Sequence, residues 1–317
     1  MTFTHLPEEQ EMRMVFTKTM IDLAEQDERV VYLDADIINS IKMNEFQKRF
    51  PERTIDCGIQ EANMVGVAAG ISETGMIPFV HSFAPFVTRR VLDQLYLSVA
   101  YSGLNVRIIG SDPGVTAAQN GGTHIPFEDL GIMRGLQHTI VLEPTDSVML
   151  EDLLRQSKDI YGLTYIRLSR KKAILVYPKG SHFTIGKANL LKEGNDIAII
   201  ANGVCVDDAL QAAEKLEEMG IHASVCDMFT LKPIDDEMIV SLAKKTGKIL
   251  TVENHLVNNG LGSAVCEVLC EQYPCKVKRL GAQDRFGEVG TMPYLKKVIG
   301  ISVEDIVNNA VTMVKGE

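Results

Sequence analysis

Short apolar runs rich in β-branched residues alternate along the chain with longer stretches of helical period. The runs fall at residues 30–36 (VVYLDAD), 76–83 (MIPFVHSF), 105–111 (NVRIIGS), 139–144 (TIVLEP) and 164–169 (TYIRLS). Strands separated by helices predict a parallel sheet covered on both faces. After residue 170 the pattern breaks. KKAILVYPKGSHFTIGKANLLKEGND, residues 171–196, is rich in turn formers and has no helical period. Beyond it the alternation restarts with DIAIIAN, a helical VDDALQAAEKLEEMG closed by Gly220, HASVCDM, a helical DDEMIVSLAKKTG, KILTVEN, a helix after the NNGLGS turn, and VKRLG. The expectation is an α/β chain of two domains, each a mainly parallel sheet with helices on both faces. We place the boundaries at 1–175 and 194–317, joined by 176–193.

The 317 residues, 45% hydrophobic, suffice for two domains, each with a core of its own. A formal net charge of −10 gives no electrostatic reason to bind nucleic acid or an anionic membrane, so any anionic ligand must be met by local positive charge. The first twenty residues lack the pattern of a secretory leader, and no apolar stretch approaches the roughly 18 residues of a membrane span, so the cytoplasm is the expected compartment. Six cysteines, at 57, 205, 226, 266, 270 and 275, form neither a disulfide framework nor a zinc signature. Cys266, Cys270 and Cys275 read as small buried side chains.

The chemistry concentrates in TIDCGIQEANMVGVAAGISETGMIPFVHSFAPF. A strand is expected to end near Gly58-Ile59, and Glu61 stands at the start of a helix in which Ala62, Gly66, Ala68, Ala69 and Gly70 allow close approach of another backbone. Taken alone, Glu61 only complements the helix dipole, a contribution of about 0.3–1 kcal/mol, and a lone pair such as Phe83 and Phe86 is ordinary core. Together, a strand-end glutamate followed by an aromatic wall resembles the pyrimidine-binding domain of the transketolase family. The resemblance extends in order over essentially the whole chain.

It implies thiamine diphosphate as cofactor. Glu61 would hydrogen-bond a ring nitrogen of the aminopyrimidine and favour the imino tautomer that deprotonates the thiazolium carbon, which requires a carboxyl group in a poorly hydrated pocket. Phe83 and Phe86 would stack on the aminopyrimidine. NGGTHIPFED resembles the family's Gly-x-Thr-His-x-Pro loop and sets His124 against the donor sugar's oxygens as an aid to proton transfer. In RLSRKKA, Arg170 matches a phosphate-binding arginine, whose planar fork suits oxyanions, whereas Arg167 reads as a strand-face residue. Arg13 resembles a second such arginine, and DADIINS brings Asp36 to the cofactor and Ser40 to the substrate at the entrance. The C-terminal half, with DMFTLKPIDDEM and TVENHLVNNGLGS, resembles the family's structural and interfacial C-terminal domain.

Three departures bear on the substrate. Ser111 and Asp112 replace a phosphate-contacting histidine, Asn120 replaces an aspartate that reads a sugar hydroxyl, and Arg89 stands where a third aromatic is expected. Arg89 would add a cation at the mouth. The substitutions suggest an unusual phosphorylated or sulfonated sugar. No Gly-Asp-Gly occurs in the chain, and GND at 194–196 lacks the context of a metal-diphosphate motif. The resemblance therefore implies a separate partner carrying Mg2+ and the diphosphate domain, with α2β2 assembly and a two-chain transketolase that moves a two-carbon ketol unit from a ketose to an aldose. The β subunit of a 2-oxo-acid dehydrogenase shares the glutamate and the Arg90–Gln94 stretch RVLDQ. Deoxyxylulose-phosphate synthase and a non-catalytic subunit of the same fold are further alternatives.

Overall fold

A computed structural model describes residues 3–316. Among the described residues twelve strands form two sheets: β1 (Val30–Asp34), β2 (Thr54–Asp56), β3 (Ile77–Phe83), β4 (Arg107–Ser111), β5 (Thr139–Leu142), β6 (Leu163–Leu168), β7 (Asn189–Lys192), β8 (Ile197–Ala201), β9 (Ala223–Asp227), β10 (Thr230–Lys232), β11 (Lys248–Leu256) and β12 (Lys276–Ala282). The seven-stranded sheet has the order β10-β5-β6-β4-β3-β1-β2, and the five-stranded sheet the order β12-β11-β8-β9-β7. Between these strands all pairings are parallel except two, at β10 against β5 and β7 against β9. The α/β fold read from the sequence is therefore present.

Consecutive residues of a central strand enter different cores, because side chains alternate across a sheet and both faces are covered. Val30 and Tyr32 of β1 join the cluster under the helix Met12–Gln26, whereas Val31 and Leu33 join the one under the helix Glu61–Glu73. In β8, Ile197 and Ile199 divide in the same way from Ala198 and Ile200. Each cluster continues through both halves of the chain, so the two cores are divided by sheet face and not, as expected from length, by domain.

Three other expectations change. Residues 189–192, inside the stretch read as a connection, form edge strand β7, and β10 crosses back to extend the first sheet. The strand before Glu61 ends at Asp56 instead of Gly58, because Gly58 turns the chain with φ 69°. Cys270 is exposed and Cys266 and Cys275 are partly buried, since the helix Leu261–Gln272 packs its core side through Leu261, Val265 and Leu269.

The two sheets meet at a buried charge cluster. Arg167 of β6 donates from Nε and Nη2 to Asp129 at 2.8 and 2.9 Å, from Nη1 to Glu143 at 2.9 Å, and from Nη2 to the carbonyl of Asn254 on β11 at 2.9 Å. Asn202, just after β8, donates to the other Glu143 oxygen at 2.7 Å. Burial opposes the charge on Arg167, but Asp129 and Glu143 outweigh it and hold the guanidinium well above its ordinary pKa. Burial raises Glu143, while Asp129 lies below its usual value because Arg167 overcomes its burial. Removing one member of such a cluster strands the others without solvent. Arg167→Met should therefore lower stability by about 3–5 kcal/mol, read from the urea denaturation midpoint of the purified chain.

Candidate active site

The C-terminal ends of β1, β3 and β4 open onto one side of the first sheet, which is where a parallel sheet usually binds ligands. Glu61 is the first residue of the helix Glu61–Glu73 and only 3% exposed. Its carboxylate accepts from Ser82 Oγ at 3.3 Å and from Arg90 Nη1 at 2.7 Å. The positive end of the helix dipole also favours its charge. The Arg90 guanidinium lies 3.8 Å from the centroid of Phe86, so one side chain ties the glutamate to the aromatic group.

Phe83 and Phe86 do come together, but not as a flat wall. Their centroids are 6.1 Å apart with planes at 74°, and His124 meets them edge-on at 5.7 and 5.1 Å. Phe83 ends β3 whereas Phe86 lies in the turn that follows, so the two side chains leave the backbone in different directions. The result is a three-ring corner with an imidazole as its third side. Thr123 Oγ1 lies 2.9 Å from His124 Nδ1.

A second group of polar side chains borders this corner. Arg170 lies 4.9 Å from the Phe83 centroid, donates from Nε to Asp112 at 2.6 Å, and contacts the Ser40 hydroxyl. Arg13 donates from Nη1 to the Ser40 carbonyl at 2.8 Å and pairs with Glu11 at 2.6 Å. Asp112 adopts φ 53°, a left-handed conformation that short polar residues tolerate. Its amide donates to the Leu168 carbonyl at 2.9 Å and its carboxylate accepts from the Arg170 amide at 3.2 Å. The loop beyond it is fixed by Asn254, which accepts from the Val115 amide at 2.8 Å and donates to the Pro113 carbonyl at 3.0 Å. A Cβ at Gly114 would lie 2.2 Å from Asn254 Oδ1, so this contact requires glycine.

The remaining predicted residues lie further out. Asp36 is exposed, and its backbone amide donates to Asp56 at 3.0 Å. Asn120 is exposed. Arg89 does not stand as a free cation, because it pairs with Glu128 at 2.5 Å. Sequence reading missed Arg90 as the partner of Glu61, Glu11 as the partner of Arg13, and a buried chain beneath the site. In that chain Asp34 lies 3.3 Å from His81 Nδ1, and His81 Nε2 lies 3.0 Å from Ser111 Oγ. Arg90 stood in the RVLDQ stretch, but no local pattern says that it faces Glu61.

The description "Transketolase, pyrimidine binding domain" matches residues 8–174, and "Transketolase, C-terminal domain" matches residues 186–306. The chain belongs to the transketolase family. It is 46% identical over 303 residues to "6-deoxy-6-sulfo-D-fructose transketolase subunit SqwH" of Clostridium sp. (strain MSTE9), covering 96% of this chain and 94% of that one. It is 36% identical to one of the subunits of the apulose-4-phosphate transketolase of Phocaeicola vulgatus, covering 96% and 97% of the two chains. A solved structure titled "Split gene transketolase, inactive beta4 tetramer" superposes with TM-score 0.89 at 39% identity over 96% of this chain and 98% of that one. Against "Transketolase" of Rattus norvegicus, 93% of this chain corresponds to 48% of the longer protein at 33% identity. Two of the relatives that it matches over nearly their full length are named as transketolase subunits, and the matched structure is titled as a split-gene transketolase.

The two adjacent arginines should respond differently to removal. Arg90→Ala leaves a buried carboxylate without its cation and should cost about 1–3 kcal/mol. Arg89→Ala removes an exposed pair and should stay within about 0.5 kcal/mol of the parent. Chemical denaturation of both variants checks the contrast.

Proposed function

We propose that the chain is the pyrimidine-domain subunit of a two-chain, thiamine diphosphate-dependent transketolase that transfers a two-carbon ketol unit from a ketose to an aldose. The observation that carries this reading is the buried Glu61 carboxylate at a helix N-terminus, linked through Arg90 to the Phe83–Phe86–His124 corner. A carboxyl group out of bulk water beside half-buried aromatic faces fits the aminopyrimidine half of the cofactor. Ser82 and Arg90 hold its two oxygens in fixed directions. Bound thiamine diphosphate supplies the carbanion chemistry that no protein side chain provides.

This chain's residues supply the surroundings. Glu61 shares a proton with the aminopyrimidine ring, and Phe83 and Phe86 orient it. His124 exchanges a proton with a hydroxyl of the ketose next to the bond that breaks. Arg13, Ser40 and Arg170 receive the charged end of the sugar, with Asp112 beside them, while Asp36, Arg89 and Asn120 border the entrance. The relatives named for 6-deoxy-6-sulfo-D-fructose and apulose-4-phosphate support an unusual sugar with an anionic end group. The diphosphate and Mg2+ are assigned to a partner chain, in an α2β2 assembly. That assignment is supported by relatives named as transketolase subunits and by the solved structure titled as a split-gene transketolase. No described helix is long and apolar enough to cross a membrane. All six cysteines are free, the state a reducing cytoplasm maintains.

Calorimetric titration of thiamine diphosphate and magnesium should show binding only when the partner chain is present. Tight binding to the isolated chain would place the diphosphate site here and overturn the split arrangement. Glu61→Gln in the assembled enzyme should lower turnover by about 100-fold or more with the circular dichroism spectrum unchanged. Wild-type turnover in that variant would remove Glu61 from the chemistry.

A further inference from the structure

Arg90 takes two of the contacts assigned above to the aminopyrimidine ring. Its Nη1 donates to Glu61 Oε2 at 2.7 Å, and the same guanidinium lies over the Phe86 ring, 3.8 Å from its centroid. At that distance no other planar group fits between the two. Because one guanidinium reaches both residues, the Phe86 face that it covers is the one turned toward Glu61. The other Glu61 oxygen accepts from Ser82 Oγ, on a buried side chain. A ligand approaching from solvent therefore meets Arg90 before it meets the carboxylate. The exposures agree, since the Arg90 side chain is 44% exposed and that of Glu61 4%.

The guanidinium also matches the ring in what it offers. It is planar, it packs on an aromatic face, and it presents N–H to a carboxylate. A ring nitrogen that shares a proton with Glu61 would neutralise the carboxylate as the cation does. The two partners are thus alternatives, and either one spares a buried charge from standing unpaired.

The attachment of Arg90 is light. Among the described residues its side chain bonds through Nη1 alone, whereas Arg167 bonds through Nε, Nη1 and Nη2. It extends from the short turn Arg89–Val91, and the Arg90 amide is tied separately to the Pro85 carbonyl at 3.2 Å. The side chain can leave Glu61 while the turn stays where it is.

We propose that Arg90 is a placeholder for the aminopyrimidine: its guanidinium neutralises Glu61 and covers Phe86 until the ring arrives, and it must turn outward for the ring to bind. Ser82 keeps its hold on Glu61 Oε1 through the exchange. The inference rests on the proposed function, since it concerns the Glu61 and Phe86 of that same site. Displacing a charge-assisted bond lowers the apparent affinity for the cofactor, because only the fraction of molecules with Arg90 turned away is competent to bind.

The experiment uses the assembled enzyme, this chain with its partner and magnesium, and reads the Kd for thiamine diphosphate by calorimetry. Arg90→Ala should bind the cofactor about tenfold more tightly than the wild type. Arg90→Lys, which keeps the charge without the plane, should fall between the two. Unchanged or weaker binding in Arg90→Ala would overturn the proposal, because Arg90 would then be a bystander or a lasting part of the loaded site. A crystal structure of the cofactor-loaded wild type reads the same point without a variant. The guanidinium should lie off Phe86 and away from Glu61, and finding it still paired with Glu61 would overturn the proposal. Either of these failures leaves the proposed function standing. No cofactor binding in wild type and variants alike would remove that function and the inference with it.

Discussion

The buried guanidinium of Arg167 holds together parts of the chain that have no other reason to stay in register. Its partners come from the helix after the His124 loop, from the end of β5 and from β11 of the second sheet. A charge excluded from water is tolerated only if every donor finds an acceptor, and here the requirement is met by groups from both halves. Neither half can move without exposing an unpaired charge to an apolar interior. The second domain thus contributes to the site without placing a side chain in it, because Asn254, whose carbonyl receives Arg167, also clamps the loop carrying Asp112 and Gly114.

That clamp explains why the site can be built from loops. Asp112 and Gly114 have positive φ, and the segment leading to His124 has another such residue at Ala118. Such conformations persist only where surrounding contacts over-determine them. With the backbone fixed, the side chains divide into two neighbouring groups of different character. One is the aromatic corner with the buried carboxylate of Glu61, and the other is a charge-balanced set around Ser40. Arg170 belongs to both, lying against Phe83 while paired to Asp112. It joins the aromatic corner to the polar group around Ser40.

The arginines show how little identity alone says about role. Arg13, Arg89, Arg90, Arg167 and Arg170 each have a carboxylate partner. What differs is exposure and what the pair touches. Arg89 with Glu128 borders solvent and adds little, Arg90 orients a buried carboxylate, and Arg167 joins two sheets.

The sequence by itself determined the α/β class, the positions of most strands and the family. Each depends on local periodicity or on motifs read in order, and β-branched runs between amphipathic helices permit little else. Glu61, Phe83, Phe86, His124, Arg13 and Arg170 were singled out through the family resemblance of the motifs that hold them, and the structure gathers the first four at one corner and the two arginines at Ser40. Tertiary structure alone decided the partners. That Arg90 meets Glu61 across 29 positions, Arg167 meets Asn254 across 87, and Val115 meets Asn254 across 139 follows from how the sheets pack. The same packing joined the expected separate cores across both halves, returned β10 to the first sheet and turned an aromatic wall into a corner. Local sequence sets which backbone conformations and which buried faces are favourable. The pairing of charges depends on long-range distances that only the closed fold defines.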